Sequence, residues 1–300
     1  MSLTGRTALV TGFGGGIGSA IAVSLAEGGC RLVGTDRSMS DTVKQNMEKI
    51  KEISGQEALF FECDLLNRES IDQLCSTIAS KVPSGIDILV NNAGCYERCT
   101  MDEKTLESWD RDLAINLTAP FLLSKNFAMS MKKKGWGRII NMSSVAGLLS
   151  CPLTIGYCSS KTGLVGLTKT IAAELAPLGV TCNAICPSVL DTPIIQPVLD
   201  ALKKETGASK SILNTKYIGI FLTVSKFMKI NNVIQPVLDA LQKETGASRE
   251  EIMENFRKTY PTKKFTTTKQ IGDYVVFLCS PAADNMTGLA TPMDGGFSIV

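Results

Sequence analysis

Arg6-Thr7-Ala8-Leu9-Val10-Thr11, running into Gly12-Phe13-Gly14-Gly15-Gly16-Ile17-Gly18, decides how the rest of this 300-residue chain is read. The first six residues are a short apolar run that predicts a buried strand. The glycines end it, and Ile17, Ile21 and Leu25 then recur at helical spacing. Strand, glycine turn, helix is the context a dinucleotide fingerprint requires. Glycines let the backbone approach a pyrophosphate, and the N-terminus of the helix faces its charge. Glycines this dense at one turn have little packing purpose, which weakens the reading of a cofactor-free α/β domain. A second strand, Cys30 to Thr35, ends at Asp36, 24 residues after Gly12. An acid there can accept both ribose hydroxyls and repels a 2′-phosphate, favouring NAD over NADP. Arg37 beside it is the one feature that would welcome the phosphate.

The alternation continues outward from this unit. Helices are expected over 41–53 and 67–82, with a strand from Ala58 to Cys63 that ends at Asp64. Ile86 to Val90 is a strand running into Asn91-Asn92-Ala93-Gly94, and a long amphipathic region with Asn116 inside it covers about 105–134. Arg138 to Met142 ends at Ser143-Ser144, a helix carries Tyr157 to about Leu178, and Val180 to Cys186 is the strand after it. Strands alternating with helices imply right-handed βαβ units: a doubly wound parallel sheet of Rossmann type in a single domain over 1–300. Each candidate residue falls just past the C-terminal end of a strand, where such sheets bind ligands.

Composition narrows the chemistry. The chain has no histidine, which excludes Ser-His-Asp hydrolysis and zinc–histidine sites. A net charge of +2 and a lone Lys132-Lys133-Lys134 run argue against nucleic acid as a partner. Ten cysteines without a CxxC pair, and no signal peptide ahead of the first strand, fit reduced thiols in a cytoplasmic protein. Cys151, Cys158 and Cys186 read as small buried apolar residues. No apolar stretch is long enough to span a membrane.

Tyr157 and Lys161 stand four apart, with Ser144 thirteen residues upstream of the tyrosine. On a helix that spacing puts phenol and ammonium on one face. A phenol titrates near ~10, so proton exchange at neutral pH requires a shift worth about 4 kcal/mol. A unit charge about 4 Å away supplies roughly that much at an effective dielectric near 20. Tyr260 and Lys264 repeat the spacing, but Pro261 disfavours a helix at Tyr260, which reads as a lid or packing residue.

TGxxxGxG at Thr11 to Gly18, NNAG at 91–94, Asn116, Ser144 and YxxxK at 157–161 together resemble the short-chain dehydrogenase/reductase family over essentially the whole chain outside one insertion. The resemblance implies an NAD-dependent oxidoreductase, with Tyr157 exchanging the proton and Lys161 lowering its pKa while holding the nicotinamide ribose. Ser144 would hydrogen-bond the reacting oxygen, and Asn116 would support a water relay. It further implies cofactor contacts at Gly12, Gly16, Ile17 and Gly18, at Asn92 and Gly94, and at Pro187. Asp64 would sit at the adenine and Thr192 near the carboxamide. A homotetramer packed through the helices near 105–134 and 156–178 is also implied. Ser188 departs from the family's usual Pro-Gly, which puts the local loop shape in question.

Residues 195–209 recur at 234–248 with only Lys203 and Gln242 different, inside a substrate lid expected over 190–260. The intervening Lys210 to Val233 has no acidic residue, alanine, proline or arginine. A recent partial duplication or a gene-model artefact is the simplest account, and the second copy is expected to cover the pocket.

The stretch from Trp136 to Asn141 and the strand from Cys182 to Pro187 are similar to D-3-hydroxybutyrate dehydrogenases. Where those relatives grip a carboxylate, this chain has Tyr96, Ala146 and Thr154, with Ser188 close by. A neutral pocket offers a carboxylate no compensation, so a secondary alcohol or ketone is the expected substrate. D-3-hydroxybutyrate and a 3-oxoacyl thioester are the alternatives. A catalytically silent NAD-binding protein with a disrupted lid is the reading from another class.

Overall fold

The computed structural model describes residues 2–188, 254, 257, 258 and 260–299. Thr192, both repeat copies and nearly all of the expected lid lie outside the described residues. Seven strands form one parallel sheet: β1 (Thr7–Thr11), β2 (Arg31–Asp36), β3 (Leu59–Glu62), β4 (Ile88–Asn91), β5 (Gly137–Met142), β6 (Val180–Pro187) and β7 (Ala290–Met293). Their spatial order is β3-β2-β1-β4-β5-β6-β7. The chain builds outward from β1 to β3, then returns to β4 on the other side of β1. That reversal opens a crevice at the C-terminal ends of β1 and β4.

The central strands β1, β4, β5 and β6 are buried along their whole length, which is why they read as unbroken apolar runs rather than alternating ones. Successive side chains still serve opposite faces. Val10 and Ile140 join one core with Ile21, Leu25 and Ile271. Leu9 and Ile139 join the other with Ile71, Leu123 and Phe127. Helices α1 (Gly16–Glu27), α2 (Asp41–Ser54) and α7 (Thr268–Cys279) cover the first face. Helices α3 (Arg68–Lys81) and α5 (Ala119–Lys134) cover the second, and α6 (Ile155–Leu175) packs beside α5.

The long helix expected over 105–134 is instead α4 (Leu106–Leu113), a π-helical turn at Ala114–Thr118, and α5. Pro120 explains the break, because it has no N–H to give to the carbonyl four residues back, that of Asn116. Helix α7 and strand β7 extend the fold beyond the elements expected from the sequence. Thr267 and Gln270 form a capping box at the start of α7, a signal visible in the sequence. Ser188 causes no backbone strain: among the described non-glycine residues only Leu153 and Lys263 have positive φ. Tyr260 is a packing residue, wholly buried, with rings of Phe265 and Phe297 against it and its hydroxyl 2.8 Å from Ser188 Oγ. Among the described residues no helix is long and apolar enough to cross a membrane.

Candidate active site

Two halves of a site meet at the crevice. The first is the glycine turn after β1. Gly12 has φ +65°, a conformation a side chain disfavours. A Cβ on Gly18 would lie 2.1 Å from the Gly12 carbonyl oxygen and 2.7 Å from Asn92 Nδ2, so turn and helix pack backbone to backbone. Asn92 locks this turn to β4: its Nδ2 donates to the Thr11 and Gly12 carbonyls at 2.8 and 3.3 Å. Thr11 Oγ1 accepts from the amides of Asn92 and Ala93. Helix α1 begins at Gly16 and Ile17 with no side-chain cap, leaving its first amides and positive dipole end facing the crevice. A side-chain-free turn that ends on uncapped amides fits a dinucleotide's pyrophosphate.

Asp36 closes the same half. Its Oδ2 accepts from the Gly14 amide at 3.0 Å and its Oδ1 from the Arg37 amide at 2.9 Å, fixing the carboxylate at the turn's edge. The Arg37 residue is exposed. Asp64, also exposed, uses Oδ1 to accept from Leu66 N at 3.0 Å and shapes the turn ahead of α3. Pro187 is buried at the end of β6, in register with Met293.

The second half lies past β5. Ser144, Tyr157 and Lys161 are 3%, 5% and 4% exposed, so three polar groups share one largely dry wall. Lys161 Nζ donates to the Met142 carbonyl at 2.8 Å, and Ser143 Oγ donates to the Lys161 carbonyl at 3.0 Å, clamping α6 to the strand end. The Lys161 ammonium lies 5.7 Å from the Tyr157 ring centroid. Asn116, fully buried in the π turn, holds both sides of the Cys95 backbone: Oδ1 accepts from its amide and Nδ2 donates to its carbonyl, each at 2.9 Å. The same Nδ2 donates to Ser160 Oγ at 3.0 Å. A Cβ on Gly94 would be 3.0 Å from Asn116 Oδ1 and 3.4 Å from Lys161 Nζ. NNAG, Asn116 and Lys161 are therefore one assembly.

Burial sets the electrostatics. It raises the Tyr157 phenol well above its ordinary value, and a hydrogen bond with Ser144 pulls the other way. It pushes the Lys161 ammonium down to about 8. Burial also raises the Cys151 and Cys186 thiols to about 11, as suits small apolar side chains. Cys158 Sγ donates to the Ala146 carbonyl at 3.0 Å.

The expected pocket residues are dispersed in role. Tyr96 lies against Tyr157, ring centroids 5.2 Å apart at 81°. Ala146 is buried beside Ser144. Thr154 is wholly buried and donates to the Cys151 carbonyl at 2.7 Å. The hydroxyl of Ser188 is held by Tyr260. Arg98, two residues beyond Tyr96, is a charged residue that no motif in the sequence marks. Its Nε and Nη1 are buried without an acceptor among the described residues, as is the Tyr96 hydroxyl. Among the described residues no cluster of acids and cysteines could hold a metal ion.

A dinucleotide cradle beside a buried serine, tyrosine and lysine defines a nicotinamide-dependent class of protein. The short chain dehydrogenase family model matches residues 6–203, and a model described as enoyl-(acyl carrier protein) reductase matches 204–298. The chain belongs to the short-chain dehydrogenase family of NAD(P)-dependent oxidoreductases. It is 31% identical to a D-beta-hydroxybutyrate dehydrogenase of Rhizobium meliloti, covering 98% of both chains. It is also 31% identical to a 3-oxoacyl-[acyl-carrier-protein] reductase of Aquifex aeolicus, over 99% of this chain and 98% of that one. A Beutenbergia cavernae structure described as an NAD(P)-dependent gluconate 5-dehydrogenase, with NADP bound, superposes with a TM-score of 0.75 at 28% identity, covering 100% of this chain and 99% of the other.

Proposed function

We propose that the chain transfers a hydride between the carbinol carbon of a secondary alcohol, or the corresponding ketone, and NAD. The observation that carries this is the buried wall of Ser144, Tyr157 and Lys161 beside the glycine cradle. Gly12, Gly16, Ile17 and Gly18 would take the pyrophosphate, Asp36 the adenosine ribose and Lys161 the nicotinamide ribose. NAD supplies the hydride acceptor when bound. In oxidation, Tyr157 Oη takes the proton of the substrate hydroxyl as the C–H hydride departs, leaving a carbonyl. Ser144 Oγ hydrogen-bonds that oxygen throughout. Lys161 contributes the positive charge that makes a tyrosinate less costly. Asn116 keeps the Cys95 loop, and with it Gly94, in register with Lys161. The preference for NAD over NADP rests on Asp36, whose anchored carboxylate would repel a 2′-phosphate.

Oligomer assembly through α4, α5 and α6 as a homotetramer belongs to the same reading, supported by Leu106, Phe121 and Met129, each more than 40% exposed. The function is tested by NADH formation on a panel of secondary alcohols. Tyr157→Phe should remove turnover while leaving NAD affinity nearly intact. NAD binding without turnover of any alcohol or ketone by the wild type would favour the silent-protein reading.

A further inference from the structure

The loop after β4 carries a charge that the proposed chemistry leaves unused. Arg98 is partly buried, and its Nε and Nη1 have no acceptor among the described residues. A buried guanidinium nitrogen without an acceptor is costly, and a planar anion is the partner that fits its fork. The acids nearby in sequence are engaged elsewhere. Glu97 pairs with Lys104 at 2.6 Å and Arg111 at 3.2 Å, and Asp112 pairs with Lys104 at 2.7 Å. Glu103 accepts from the Thr100 amide and hydroxyl. No described acid forms an ion pair with Arg98.

A second orphan stands beside it. The buried Tyr96 hydroxyl has no partner among the described residues, and its surroundings include the charge of Arg98 together with Cys99 and Cys151. The Tyr96 ring packs edge-on against Tyr157 at 5.2 Å, which places Tyr96 next to the reacting centre. The loop is also held in place. The Cys99 amide donates to the Leu153 carbonyl at 2.9 Å. Leu153 has φ +65°, a strained conformation for a branched side chain. Such strain survives where surrounding structure over-determines it, commonly at ligand-binding sites.

We infer that Arg98 and Tyr96 form an anion-recognition subsite that selects substrates bearing a carboxylate close to the reacting carbon. This deepens the dehydrogenase reading and rests on it. An arginine with a phenol donor beside it can satisfy a carboxylate with several charge-assisted bonds. The contact between the Tyr96 and Tyr157 rings favours a carboxylate within a few bonds of the carbinol over the distant phosphate of a thioester carrier arm. The neutral pocket expected from Tyr96, Ala146 and Thr154 thus regains its charge from Arg98. The substrate class becomes small hydroxy acids and their oxo acids.

The test compares 3-hydroxybutanoate with butane-1,3-diol, which share the CH3–CH(OH)–CH2 unit and differ in carboxylate against hydroxymethyl. Wild-type kcat/KM should favour the acid by about 100-fold, the scale of a buried polar group left without its partner. Arg98→Gln should bring the ratio near one through the acid's KM, Arg98→Lys should recover part, and Tyr96→Phe should lose part. A wild-type ratio near one, or an equal loss on both substrates in Arg98→Gln, overturns the subsite. NADH titration of each variant reports cofactor binding separately. If the wild type oxidises neither compound, the hydride-transfer reading is what fails. Calorimetric titration of 3-hydroxybutanoate into the NADH-loaded protein then decides the subsite. Binding that Arg98→Gln abolishes supports it, and equal or absent binding in the two proteins overturns it.

Discussion

Replacing Lys161 with methionine should make the cofactor-free protein more tolerant of neutral pH, although the lysine is central to the proposed chemistry. Lys161 is 4% exposed, and burial holds its ammonium near 8 instead of 10.5. Because the folded value lies below the unfolded one, the unfolded chain binds this proton more tightly. The cost is fully present below about pH 8 and is relieved as the pH climbs toward 10.5. The gap corresponds to about 3 kcal/mol at neutral pH. Methionine removes that cost but strands the Met142 carbonyl, which accepts from Nζ at 2.8 Å. An unpaired buried carbonyl costs about 1–3 kcal/mol, so the net change at pH 7 is a gain of roughly 0–2 kcal/mol. The pH dependence isolates the charge, since the carbonyl does not titrate and the thiols are common to both proteins. Urea unfolding of wild type and Lys161→Met, both without NAD, should show the wild type gaining about 2 kcal/mol on the variant between pH 7 and about 9.5. Stability curves that run parallel across that range would refute the buried-ammonium account.

The cofactor half gives two further expectations. Gly18→Ala places a methyl 2.1 Å from the Gly12 carbonyl oxygen, where only backbone can yield. It should cost about 2–3 kcal/mol of stability and most of the NADH affinity, read by thermal unfolding and NADH fluorescence. Asp36→Ser removes the carboxylate anchored on the Gly14 amide. The NAD-to-NADP ratio of kcat/KM should fall by about tenfold or more, the scale of one charge-assisted hydrogen bond.

Much of this molecule could be read from the sequence because its periods and glycines admit few alternatives. Val10 and Leu9 serve opposite cores, yet both sit in an unbroken apolar run, and such runs between glycine turns and helices imply a covered parallel sheet. The density of glycine from Gly12 to Gly18 pointed to close approach of a pyrophosphate and away from a packing role, whereas Gly18 also packs its backbone directly against the Gly12 carbonyl. The break at Ala114–Thr118 was less legible. Pro120 was available as a signal, but the amphipathic pattern runs through it, and only the bond lost at the Asn116 carbonyl shows why the helix changes pitch. Arg98 was invisible for another reason. Matching pocket positions one for one with relatives finds Tyr96 and stops there. Only folded coordinates show two guanidinium nitrogens buried with no acceptor.

Geometry also changes how the acid–base pair works. On helical spacing alone, a unit charge about 4 Å from the phenol suffices at an effective dielectric near 20. Burial instead drives the two groups apart, raising Tyr157 and lowering Lys161. Each group resists its charged form in the closed wall, so a tyrosinate–ammonium pair is disfavoured before ligands arrive. The Lys161 ammonium points to the Met142 carbonyl, and the hydrogen-bonding influence on the phenol comes from Ser144. Further positive charge brought next to Tyr157 then adds to that of Lys161 in shifting its proton equilibrium, since a cation stabilises the ionised phenol whatever the burial. A phenol poised only when the site is filled would not exchange protons idly with solvent, and the buried, low-dielectric wall that makes ionisation costly also strengthens the pull of whatever cation enters.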